Sequence, residues 1–271
     1  MVVNVIKATG EKEPFSEDKL KISIQRAGIP DELKTQVIDH VRSKLYENIP
    51  TSEIYHHITE FLEKSSVYSK AKYSLKQAIM DFGPTGYPFE DFVAEILKKE
   101  GYSTQLRSLL TGRCVTHEID VVAQKDNKRI MIEAKFHNAS GTRTDVHVAL
   151  YSKARFDDLK DKYNLSEAWI VTNTKVTSDA LAYALCENIR IISWSYPENE
   201  SLRDLVEKYN LHPMTVLTTL SQSQKQQLLE NHIVLCKEIM EKPSVLDLID
   251  IIQSKKNEVL EEIKFVCSSK L

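Results

Sequence analysis

Three residues in one mostly apolar stretch have types and spacing suited to holding a divalent cation. The stretch is HEIDVVAQKDNKRIMIEAKF, residues 117–136, and the three are Asp120, Glu133 and Lys135. Asp126-Asn127 makes a two-residue hairpin turn, because both residues tolerate positive φ. Lys125 then faces Lys128, and residues whose numbers sum to 253 stand opposite one another. One face of that hairpin carries Ile119, Val121, Ala123, Ile130, Ile132, Ala134 and Phe136. The other carries Glu118, Asp120, Val122, Gln124, Arg129, Met131, Glu133 and Lys135. A slip of one residue would bury the charges, so the register is well specified. It sets Asp120 opposite Glu133, where like charges repel. Lys135 compensates in part, and a divalent cation would compensate better.

The elements that position these residues follow from the rest of the chain. It has 271 residues, 42% hydrophobic and 28% charged, enough for two or three small domains. No apolar run approaches the roughly 20 residues of a membrane span. Cys114, Cys186, Cys236 and Cys267 lie far apart without metal-ligand spacing, which reads as reduced thiols in a cytoplasm. The net charge of −3 gives no global basic signature of a nucleic-acid binder. Two stretches read as linkers, FGPTGYP at 82–88 and SYPENES at 195–201. They divide the chain into 1–82, 87–196 and 201–271. Basic and acidic side chains balance in the first two segments, and acidic ones exceed basic ones in the third.

The first segment reads as two short strands joined at Thr9-Gly10, then helices starting after Ser16, over 31–46, over 52–64 and over 67–82. Ser16 and Thr51 serve as N-caps. The motifs VIKATGEKEPFSEDKL, IPTSEIYHHI and VYSKAKYSLKQAIMDF resemble the ATP-cone, the nucleotide-sensing module of ribonucleotide reductases and their bacterial transcriptional regulator. The resemblance covers nearly all of residues 2–82. It implies that Val5 and Lys7 belong to a nucleotide-binding strand. It also implies that Glu13, Ser16, Lys19 and Thr51 lie near base, ribose or phosphates, with Lys72 a looser candidate. The implied effector is ATP or dATP. Where the family has Lys-Arg-Asp-Gly this chain has Lys7-Ala8-Thr9-Gly10, which removes a bidentate phosphate contact.

The second segment reads as a helix from Tyr87 stopped by Gly101, a strand at 103–110, the hairpin, and a helix over 146–163. A strand at 168–173, a helix over 178–187 and a strand at 189–194 follow. This order predicts an α/β sandwich. With Asp and then Glu-x-Lys on adjacent strands, it resembles the PD-(D/E)xK nuclease superfamily. The Phe-Glu-Asp helix start and the later Gly-Tyr look like the Mrr-type restriction endonucleases. The resemblance implies a restriction-endonuclease-like α/β/α sandwich that cuts DNA with Mg²⁺. Asp120 and Glu133 offer hard oxygen ligands, with the Ala134 carbonyl as a third. Lys135 shares a strand face with Glu133 and stands beside the metal. Glu90 either serves a metal-bound water or second ion, or is a carboxylate favoured by the helix dipole. His147, Tyr151 and Arg155 line a phosphate path or form an exposed polar face. His117 and His137 read as substrate-facing or structural, and Gly141, Thr142 and Arg143 as a loop within reach of a DNA backbone.

The third segment is helical by period, with Leu217, Leu220, Leu228, Leu229, Ile233, Leu235, Ile239, Leu246, Leu248 and Ile251 supplying a core. It loosely resembles tandem helix-hairpin-helix modules, with Asn231 and Asp250 near the places of their glycines. Its acidic balance points instead to packing or oligomerisation. The whole sequence is read as a cytoplasmic, Mg²⁺-dependent DNA endonuclease of defence type, a homo-oligomer with an N-terminal nucleotide sensor. Its rivals are a non-catalytic, nucleotide-responsive regulator that binds nucleic acid and a DNA-repair nuclease.

Overall fold

A computed structural model describes residues 3–65 and 68–268. In the first segment, β1 (Asn4–Ile6) pairs antiparallel with β2 (Lys12–Pro14) through the turn at Thr9-Gly10. Helix α1 (Glu17–Arg26) is capped as its sequence predicts: the Lys19 N–H donates to Ser16 Oγ at 3.3 Å. After α2 (Asp31–Lys44) comes β3 (Ile49–Pro50), which pairs parallel with β1. Two residues are too few to carry an alternation, so β3 has no sequence signal. Thr51 is the first residue of α3 (Thr51–Ser65) rather than its cap, because the chain enters that helix directly from β3. The expected fourth helix is two pieces, α4 (Ser69–Tyr73) and α5 (Leu75–Met80), broken at Ser74. Its expected start at Val67 lies outside the described residues.

The second segment opens with α6 (Tyr87–Lys99), followed by β4 (Ser103–Thr111), β5 (Thr116–Lys125) and β6 (Lys128–Lys135). Next come β7 (Arg143–Thr144), α7 (Val146–Tyr163), β8 (Glu167–Thr172), β9 (Lys175–Val176), α8 (Ser178–Cys186) and β10 (Arg190–Ile192). The main sheet has the order β10-β8-β6-β5-β4, antiparallel from β4 to β6 and parallel from β6 to β10. The hairpin register agrees with the sequence: Val121 pairs with Ile132 and Lys125 with Lys128.

The two faces differ from the sequence reading. Val121, Ala123, Ile130, Ile132 and Ala134 pack in one core with α6. Val122 and Met131, expected on a polar face, are buried in a second core with Ala149 and Leu159 of α7. A central sheet covered by helices on both sides must bury both faces. Ile119 joins this second core instead of following Val121. The β4–β5 ladder skips Arg107 and Asp120, and Arg107 has a φ of +48°. That left-handed residue interrupts the pleat, so side chains before Asp120 change sides.

The third segment contains α9 (Leu202–Tyr209), α10 (Gln222–Glu230), α11 (Cys236–Glu241) and α12 (Gln253–Cys267), with short 3₁₀ turns between them. Asn231 is not left-handed, with φ −94°; His232 is, with φ 59°. The glycine position of a helix-hairpin-helix is therefore not reproduced at Asn231.

The stretches read as linkers are anchored at their ends, while their middles are exposed. Phe82 is buried against Phe92 with ring centroids 5.3 Å apart, and Ser201 is buried as the cap of α9. One core contains Ala71, Leu75, Ala78, Ile79 and Phe82, the α6 face of the sheet, and Leu205 through Val266 of the third segment. A separate core, from Val5 to Leu62, belongs to the first segment alone. No helix among the described residues is long and apolar enough to cross a membrane.

Candidate functional site

The β5–β6 ladder stops at Val121–Ile132, one pair short of Asp120 and Glu133. The Asp120 carboxylate explains the stop: its Oδ2 accepts the Ala134 N–H at 2.8 Å, a bond a regular ladder would give to backbone. Asp120, Glu133 and Ala134 thus meet at the end of the hairpin. Lys135 follows on β6, opposite Thr172 of β8. It forms no hydrogen bond or ion pair among the described residues, and its charge acts on both carboxylates.

Burial lifts the Glu133 carboxyl to about 7. The Asp120 charge pushes the same way, while Arg155 and Lys135 oppose. Burial also raises Asp120, against the pull of the Ala134 N–H and Arg155. Burial thus disfavours the charged form of both carboxyls, a cost that a bound cation would offset. Glu90 stands at the start of α6 and is buried. It is lifted to about 7 by burial, with Asp120 adding and Arg107 opposing. Glu90 accepts from Arg107 Nη1 at 2.9 Å. The second guanidinium nitrogen reaches Asp91 Oδ1 at 2.7 Å, and Asp91 Oδ2 lies 2.9 Å from His232 Nδ1 in the third segment.

Two arginines in this site escape sequence reading, wholly or in part. Arg107 has no motif or periodicity to mark it. A β4–β5 register read through the Gly112–Val115 turn would have set it opposite Asp120. Arg155 is neither a phosphate path nor an exposed face: it is buried, pairs with Glu133 Oε2 and donates to the Glu118 carbonyl. Tyr151 is exposed beneath its guanidinium, and His147 is exposed beside Asp145. His117 and His137 are structural. His117 Nε2 lies 2.9 Å from Asp158, whose carboxylate also takes the N–H groups of Cys114 and Val115. His137 is pinned by Asn173 and Thr144. Gly141, Thr142 and Arg143 are exposed, and Gly141 also lies against Ala8 of the first segment.

Among the described residues, no group of three or more His, Cys, Asp or Glu side chains forms a ready-made metal cage. The set that does converge suits a lighter arrangement. Asp120 Oδ1 and Glu133 Oε1 carry no hydrogen bond from any described residue, whereas their partner oxygens are engaged by Ala134 and Arg155. Two free hard oxygens on buried carboxyls fit a divalent cation, with the Ala134 carbonyl adjacent.

The sequence-predicted nucleotide residues divide into two groups. Lys19, Thr51 and Lys72 line a cleft of about 900 Å³ between the three segments. Lys7, Glu13 and Lys19 form a chain of ion pairs, 2.8 Å and 3.1 Å at Glu13. Val5 is buried in the core of the first segment, and Ser16 caps α1; neither lines the cleft. Lys72 reaches Ser268 and lies over the Phe265 ring.

A mixed sheet between helices, with Asp and Glu-x-Lys converging on adjacent strands, defines a restriction-endonuclease-type domain. Family models agree: residues 84–196 match a restriction endonuclease catalytic domain, 3–76 an ATP cone domain, and 212–267 the AF1548-like C-terminal family. An uncharacterized protein of Archaeoglobus fulgidus is 37% identical over 175 residues, which are 64% of this chain and 99% of that protein. A crystal structure described as the protein of unknown function AF1548 superposes with a TM-score of 0.60 at 36% identity. It covers 68% of this chain and 98% of that one. The chain belongs to this AF1548-like family, and here carries an ATP cone together with the restriction-endonuclease domain.

Proposed function

We propose that the chain is a Mg²⁺-dependent DNA endonuclease of restriction type whose activity responds to ATP or dATP. The observation that carries the reading is the pair of uncommitted oxygens on Asp120 and Glu133, beside a Lys135 with no competing partner among the described residues. A divalent cation held there would act as a Lewis acid on the scissile phosphate and acidify a water. Lys135 orients the attacking water or stabilises charge growing on the phosphoryl oxygens. The water oxygen adds to phosphorus, the bond from phosphorus to one sugar oxygen breaks, and that oxygen leaves with a proton. Arg155 holds Glu133 in place from α7, and Arg107 holds Glu90 at the rim. Glu90, near 7, is poised to exchange a proton at neutral pH, whereas a bound cation would hold Glu133 in its charged form.

The test is incubation of the full chain with plasmid and Mg²⁺, with and without ATP and dATP. Nicking or linearisation is expected, and Asp120→Ala, Glu133→Ala and Lys135→Ala should each abolish it. DNA binding without cleavage under Mg²⁺ or Mn²⁺, at any nucleotide concentration, would favour the non-catalytic regulator.

A further inference from the structure

The cleft between the three segments is richer in positive charge than the ATP cone residues alone would make it. Arg26 and Lys76 line it and form no ion pair with any described carboxylate. Both side chains are exposed on the cleft wall, and the Lys76 ammonium lies 5.9 Å from the centroid of the Trp194 ring. Across the cleft, Arg203 of α9 presents a buried Nε with no hydrogen-bond partner, and its only ion pair among the described residues is a 3.4 Å contact with adjacent Asp204. Like charges gathered around one cleft repel, and an anion bound between them relieves that repulsion. The apolar parts of the wall suit a planar base. Ile22 is 49% exposed there, Tyr55 and Tyr73 stack with centroids 5.7 Å apart, and Trp194 stands by Lys76. A volume of about 900 Å³ is of small-molecule size and does not admit a duplex.

We propose that the nucleotide is held across the segments: Arg26 and Lys76 of the first and Arg203 of the third together take the triphosphate. The inference rests on the nucleotide reading above and adds where the phosphate charge goes. It also accounts for the missing arginine. Ala8, exposed on the cleft wall, brings no charge to it. The cation is supplied from α9 instead. The sensor's ligand thereby touches a segment that shares its core with the nuclease sheet.

Calorimetry of the full chain with ATP, repeated with Lys76→Gln, Arg203→Gln and Arg203→Lys, tests this. Each glutamine variant should bind at least tenfold more weakly, a loss of about 1.4 kcal/mol. Arg203→Lys should recover part of that loss, which separates charge from packing. Unchanged thermal melting without nucleotide controls for folding. If the wild type binds ATP and both glutamine variants match it within twofold, the site lies in the first segment alone and the proposal fails. If the variants keep ATP but lose DNA affinity, the cleft is a DNA path and the proposal fails. If the wild type itself binds no ATP or dATP at millimolar concentration, the nucleotide reading falls, and this inference falls with it.

Discussion

Replacing Gly141 by alanine should prise the sensor's turn away from the loop that leaves the Lys135 strand. Gly141 has a φ of +86°, and an added Cβ would lie 2.8 Å from the Ala8 carbonyl oxygen, 3.0 Å from its carbonyl carbon and 3.1 Å from its Cβ. Two of these three atoms are backbone, so no side-chain rotation relieves them. The backbone conformation alone costs a non-glycine residue about 1–2 kcal/mol. Overpacking against a fixed neighbour adds about 1–3 kcal/mol. Gly10→Ala isolates the first contribution, since Gly10 has a φ of +82° and an added Cβ there would meet nothing within 4 Å. Urea titration should therefore show Gly141→Ala losing about 1–3 kcal/mol more than Gly10→Ala. If the two surfaces separate instead, that excess vanishes and any response of DNA cleavage to ATP is lost while basal cleavage remains. Equal stability losses together with an unchanged nucleotide response would refute the contact as a coupling point.

The remaining expectations concern the site and the shared core. A carboxyl raised in the folded state contributes stability below its unfolded pKa and loses it as pH rises through the folded one. For Glu133 that window runs from about 4.5 to about 7 and is worth roughly 3 kcal/mol. Urea midpoints should fall from pH 5 to pH 8 without divalent metal, and Asp120→Asn, which removes the neighbouring repulsion, should flatten the slope; an equally steep slope would count against the coupling. Arg155→Ala leaves Glu133 buried without its cation, so stability should drop by about 3 kcal/mol. The acid limb of the pH–rate profile should move to higher pH, and an unmoved limb would mean that Arg155 does not act on Glu133. Removing residues 198–271 should leave an insoluble or molten remainder, because Leu205, Val206, Met214 and Leu228 share the core of the sheet; a cooperative melt of residues 1–197 would contradict this.

The hairpin was legible because its turn and two alternating strands constrain one another, and the register from Val121 to Lys125 follows from that alone. The interruption at Asp120 was not legible. It depends on Arg107, a residue whose left-handed backbone no propensity favours and whose partner lies on another strand. The burial of Arg155 was hidden for a related reason. Its spacing with His147 and Tyr151 marks one helical stripe, but along that stripe exposure falls from His147 to Arg155 as the helix runs toward the carboxylates. The five-stranded sheet was readable as a sequence of elements, whereas the two-residue pairs β1–β3 and β7–β9 form only by tertiary contact. Composition suggested independent segments joined by Pro- and Gly-rich linkers. It could not show that Phe82 and Ser201 are buried, since packing of a connector depends on what surrounds it.

The separation of the first segment's core from the one that the sheet shares with α6 bears on how such a chain could be re-engineered. A designer following the proline- and glycine-rich stretch would exchange sensors at residue 82. That cut removes Ala71, Leu75, Ala78, Ile79 and Phe82 from the interior of the restriction-endonuclease-type unit. A cut after Ser65 leaves those five in place, and α4 and α5 then remain as an adapter permanently fitted to the nuclease. The donor sensor would have to restore the contacts of this adapter: the Tyr73 ring on the core of the first segment and against Tyr55, the hydrogen bond from Tyr55 to Ser74, and the Lys70–Glu63 ion pair. Interchangeability therefore ends inside the nucleotide-binding module, two short helices ahead of the boundary that composition marks.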